Sequence, residues 1–187
     1  MRRKKEAISL LLCIISTTYT IWYMHFAPPY KNASALSKIG LEHPIYFAIW
    51  GVLTYFSLAL ALGIAYKKYT GTRAYIPLLV ISGIGMALTL TNDFDFDKKV
   101  QYYLHCTGSL MFSAVTGITV FLLFLLCFKK GVMFKAFTVA SGMILIGDLV
   151  CLLIFKETGL IEVLPIFAGY IMLSAVNLRR EKIETTR

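Results

Sequence analysis

Six stretches of about twenty apolar residues, separated by short polar or basic segments, constrain this chain more than any other feature. A run of that length spans the hydrocarbon core of a bilayer as a helix, and helices leave no backbone group unpaired in lipid. The runs are 7–27, 45–66, 74–91, 102–128, 133–154 and 160–178. The expected fold is all-α: a polytopic membrane protein with a single transmembrane domain over residues 1–187, built as a bundle of six transmembrane helices. Charged residues make up only 16% of the chain, against roughly 25% in soluble domains.

The net charge of +9 invites a nucleic-acid reading, but its placement argues for topology instead. The basic residues sit in short clusters between the apolar runs. Six spans alternate their loops between two sides. One side collects Arg2, Arg3, Lys4, Lys5, Lys67, Lys68, Arg73, Lys129, Lys130, Lys135, Arg179, Arg180, Lys182 and Arg187. The other holds only Lys31, Lys38, Lys98, Lys99 and Lys156. Cytoplasmic loops carry the excess of Lys and Arg, so both termini are expected in the cytoplasm, in a plasma membrane or endomembrane. Cys13, Cys106, Cys127 and Cys151 lie in or beside apolar runs without CxxC spacing and read as small hydrophobes.

The first run begins as a secretory signal does, and Ala33-Ser34-Ala35 resembles a cleavage site. The run is longer than the roughly 7–15 residues of a signal core, and the site lies well beyond it, so it reads as a retained span. Asn32-Ala33-Ser34 has the form of a glycosylation acceptor, meaningful in a eukaryotic source. In the second run Ser57, Ala61 and Ala65 recur every four residues, a spacing that lets helix backbones approach closely. The third carries Ser82, Gly83, Gly85 and Thr89 on its inner half. A tight turn, 155–159, joins the last two runs, and there is no clear internal repeat.

Between the third and fourth runs lies an acidic loop, Asn92-Asp93-Phe94-Asp95-Phe96-Asp97, whose two phenylalanines are expected to dip into the headgroup layer. The fourth run then carries His105, Ser109, Ser113 and Thr116 at steps of four, four and three, on one helical face by spacing. Such a stripe must face other helices or water. His25 closes the first run and His43 opens the second on the same outer side. His105 lies about 5 Å and Asp148 about 9 Å inside their spans, and Glu162 is two residues into the last. Seven of the ten acidic residues and all three histidines thus gather on the extracytoplasmic side. An Asp at a helix centre costs about 2.5–3.5 kcal/mol on insertion, so Asp148 is retained either to lock helices together or for a task. Glu162 is also an acid that the dipole of its own helix N-terminus favours. His105 reads equally as an interhelical hydrogen-bonding group, and Ser109 and Ser113 as packing hydroxyls.

The order of these features resembles a known superfamily. Asp95-Phe96 … Leu104-His105-Cys106-Thr107-Gly108, followed by a last span opening Gly159-Leu160-Ile161-Glu162, is similar to the six-span FRAG/DRAM/SFK proteins and their bacterial relatives. The resemblance implies a six-helix bundle that handles or senses lipid, with His105 and Glu162 as carried-over positions; Asp148 has no counterpart in it. A second resemblance, of inventory alone, is to ceramidase-like membrane hydrolases, which set three histidines and an aspartate around zinc; the closely spaced C-terminal histidine pair of those proteins is missing here.

The leading expectation is a protein that binds or senses membrane lipid through an outer-side pocket of His105, Asp148, Glu162 and Ser109, with a protein partner in the membrane possible, no nucleic acid and no cofactor. The alternative is a metal-dependent lipid hydrolase or acyl-transfer enzyme with His25, His43, His105 and Asp148 on zinc and Glu162 as the catalytic base. No HxxxH or HxxE pair supports that set locally. The third is a proton- or cation-coupled transporter working through Asp148.

Overall fold

The computed structural model of the chain describes residues 2–26, 35–155 and 158–179. Among these it is all helical: α1 (Arg2–Met24), α2 (Leu36–Glu42), α3 (Pro44–Tyr69), α4 (Tyr75–Thr91), α5 (Lys99–Leu126), α6 (Val132–Phe155) and α7 (Gly159–Leu178), with one 3₁₀ turn, Phe128–Lys130, before α6. The candidate cleavage site, the Asn32 acceptor, the centre of the 155–159 turn and most of the basic tail lie outside the described residues. Five helices, α1, α3, α5, α6 and α7, are long and apolar enough to cross a membrane, the make-up of a membrane protein. α4 is apolar but shorter, at 17 residues. Helices run past the apolar stretches into their basic flanks. The last turn of α3 holds Lys67 and Lys68, where the negative end of the helix dipole favours cations.

One correction concerns residues 36–42, which read as part of a polar loop and instead form α2. Its buried side is Leu36, Ser37, Ile39 and Gly40. Gly40 is required there, because a Cβ would come within 2.8 Å of the Phe47 ring on α3. Pro44 then opens α3 at the first helical position, where its missing N–H costs nothing.

The long helices alternate in direction, and α3 lies at the centre, against α1, α4, α5 and α7. Its small-residue stripe faces α1 and α7. Ser57 donates to the Leu12 carbonyl at 3.2 Å, and Asn177 Nδ2 donates to the Ala61 carbonyl at 2.9 Å. Ser16 on α1 joins three helices, sharing hydrogen bonds with Tyr170 at 2.7 Å and Thr54 at 3.5 Å. With no hydrophobic drive between helices in lipid, close packing and bonds of this kind hold a bundle together.

The tightest crossing is between α4 and α5. Gly85 and Gly108 bring backbone onto backbone, and a Cβ at Gly85 would lie 2.6 Å from the Phe112 nitrogen. Ser82 and Thr116 share a 2.6 Å hydrogen bond one turn away. At the end that holds Glu6, the Lys68 side chain is 4% exposed. It pairs with Glu6 at 3.3 Å and donates to the Val176, Asn177 and Arg179 carbonyls, capping α7. α6 is the loosest helix. Its buried residues are Phe134, Thr138 and Ser141, all in its first half. The second half has no fully buried residue, although Leu145 still meets α5 at Gly117, and a cleft lies beside it.

Candidate functional site: a cleft between α5, α6 and α7

The cleft has a volume of about 430 Å³. α3 supplies Phe47, Trp50 and Leu58 to its wall, α5 supplies Ser109, Phe112 and Ser113, α6 supplies Ser141, Leu145, Asp148 and Leu152, and α7 supplies Glu162, Pro165 and Ile166. Its rim includes Leu110, Ile118, Ile146 and Leu149, all exposed, so it opens through the side of the bundle. Proline in the second turn of α7 gives Ile161 no in-helix donor for its carbonyl. Asp148 is two turns before the end of α6 and Glu162 in the first turn of α7, so both acids belong to the end of the cleft nearest the turn between these helices. Asp148 is half-buried. Its carboxyl has no hydrogen-bond or ion-pair partner among the described residues.

Glu162 has a structural task as well. Ala35 precedes α2 and offers no side chain to cap it. Glu162 takes that place from 126 residues away, accepting the Leu36 N–H at 2.7 Å and lying 3.5 Å from the Ser37 hydroxyl. Tyr23 on α1 donates to the Leu36 carbonyl at 2.9 Å, which fixes α2 from the other side. Thr158 caps α7 by accepting from the Ile161 N–H at 3.3 Å. One carboxylate therefore serves the N-terminal ends of two helices, as the dipole rule favours.

Of the residues grouped by depth, Asp148, Glu162 and Ser109 line the cleft, whereas His105 does not. Its ring is 1% exposed and packs between Phe47 and Phe94, at centroid distances of 6.0 and 5.2 Å. Nδ1 donates to the Asn92 carbonyl at 2.9 Å, tying the end of α4 to α5, while Nε2 is buried with no hydrogen-bond partner among the described residues. The polar stripe splits for a geometric reason. Each step of four residues overshoots a 3.6-residue turn by about 40°. His105 accordingly faces the end of α4, Ser109 and Ser113 turn to the cleft, and Thr116 bonds Ser82 on α4 at the cleft's edge.

The four residues considered for zinc are held apart by other contacts. His25 Nδ1 lies 2.7 Å from the Ile21 carbonyl. His43 packs against the Phe26 and Tyr46 rings, at 4.8 and 5.5 Å, and these two rings also touch each other. His105 is enclosed as above, and Asp148 is on the cleft. No group of three or more His, Cys, Asp or Glu side chains able to hold a metal occurs among the described residues.

The acidic loop departs from expectation at one ring. Phe96 is exposed, but Phe94 is buried against His105 and Tyr102. Lys98 donates to Asp93 at 2.7 Å, and that hydrogen bond holds its ammonium above the usual lysine value.

Sequence reasoning missed Phe47, Trp50 and Pro165 as cleft residues. Of these, only the proline carried a local signal, as a break in a helical run. Neither a family model, nor a curated protein, nor a solved structure matches this chain.

Proposed function

We propose that this chain crosses its membrane six times with both termini in the cytoplasm and holds an amphipathic, lipid-like molecule in the α5–α6–α7 cleft, binding it without turnover. The observation that carries this is the cleft itself: a lateral opening, apolar walls, and polar groups of Asp148, Glu162 and Ser109 on one lining. Taking α4 as the sixth span accords with its length, since 17 residues reach the lower limit of about 17–25 for a spanning helix. The concentration of Lys and Arg at the Lys68 end supports the orientation. Lipid handling is also what the resemblance to FRAG/DRAM/SFK proteins implies.

The two tryptophans make a direct test possible. Trp50 lines the cleft and is 6% exposed, whereas Trp22 is 45% exposed on α1. In a Trp22→Phe background, nanodiscs of lipid with brominated acyl chains are expected to quench Trp50 only if a chain enters the cleft. Adding Ser109→Phe, which fills the space, is expected to relieve the quenching. Equal quenching in both variants would refute occupancy.

A further inference from the structure

The charges on this cleft point to the class of its occupant. Among the described residues, none that lines it is Lys, Arg or His, and its only carboxylic acids are Asp148 and Glu162. Glu162 is already engaged with the first N–H of α2. Asp148, by contrast, meets no donor or cation among the described residues. A carboxylate at membrane depth finds no partner in hydrocarbon, so a ligand bearing positive charge gains an attraction that neutral or anionic ligands lack. The Ile161 carbonyl, without its in-helix donor, adds an acceptor at the same end. Phe47, Trp50 and Phe112 supply aromatic surface on the walls, suited to an apolar body and to cation–π contact.

Resting on the occupancy of the cleft argued above, we propose that its ligand is a lipophilic cation: an ammonium group on an apolar body, with the Asp148 carboxylate as counter-ion. This chemistry has two sources, a long-chain amine resident in the membrane or a water-soluble hydrophobic amine. The site selects for charge at one end and apolar volume at the other, and it rejects headgroups whose net charge is negative.

The test compares chain-matched probes on protein in phosphatidylcholine nanodiscs, read by Trp50 fluorescence in the Trp22→Phe background. Dodecyltrimethylammonium is expected to bind at least about tenfold more tightly than dodecanol and than dodecyl phosphate. Asp148→Asn should remove that preference, bringing the cationic and neutral probes to similar affinity, and Asp148→Glu should restore most of it. Equal binding of cationic and neutral probes to the Trp22→Phe protein overturns the cation preference and leaves the occupied cleft standing. No binding of any probe overturns both. If Asp148→Asn does not fold, the probe comparison on the parent protein and the Asp148→Glu variant still decide the matter. Competition by benzyltrimethylammonium supports the proposal with a soluble source; binding confined to long-chain cations supports it with a membrane source.

Discussion

Gly85→Ala tests the packing on which the cleft depends. The new Cβ would lie 2.6 Å from the Phe112 nitrogen and 2.8 Å from the Gly108 oxygen. Both obstacles are helix backbone and cannot rotate away, so α4 and α5 must separate by roughly 0.8 Å, enough to forfeit a quarter to a half of each contact at the crossing. Overpacking of this kind costs about 1–3 kcal/mol. The Ser82–Thr116 bond, now 2.6 Å, stretches by a similar distance and loses about 0.6 kcal/mol more. Against this, alanine gains roughly 0.5–1 kcal/mol over glycine within a helix. The net expectation is a loss of about 1–2 kcal/mol. Gly147→Ala is the control, because a Cβ there meets nothing within 4 Å and the variant keeps only the helical gain. Reversible unfolding in mixed micelles against dodecyl sulfate is expected to place the two variants on opposite sides of the parent, about 2–3 kcal/mol apart. Coincident midpoints would refute the backbone-on-backbone crossing.

Two further perturbations address the ends of the bundle. Glu162→Ala removes the acceptor of the Leu36 N–H and is expected to cost about 1.5–3 kcal/mol, with Glu162→Gln recovering part of it; faster hydrogen exchange at the Leu36 amide checks the cause, and an unchanged rate would show that the cap is not used. Lys68→Met removes the ion pair to Glu6 and the donor to three carbonyls of the α7 terminus. With side chains 4% and 15% exposed, this is expected to cost about 3 kcal/mol, measured by the same unfolding assay.

Little of the cleft was legible in residue order, although its acids were. Asp148 stood out because a carboxylate inside an apolar run is costly whatever surrounds it, and that is a local property. The grouping of His105 with Asp148 and Glu162 rested on shared depth. Depth puts residues in the same layer but says nothing about which way they face. His105 turns toward Asn92 on α4, and Asp148 toward α7 and the cleft. The zinc set rested on the same shared depth, and the structure gives its three histidines separate contacts. α2 was hidden because seven residues with one buried side are too few for a period to stand out from a loop.

What the sequence alone determined is the set of long apolar helices and the asymmetry of charge between their ends. An apolar run must pair its own backbone, so helix formation is decided within the segment, and the Lys and Arg clusters count the same in any helix arrangement. The tertiary structure decided which faces meet. It placed α5 on α4 where Gly85 and Gly108 allow backbones to touch, left the second half of α6 without a fully buried residue, and brought Glu162 to Leu36 across 126 positions. Those outcomes depend on side-chain volume and donor–acceptor fit between segments far apart in the chain, quantities that no single run contains.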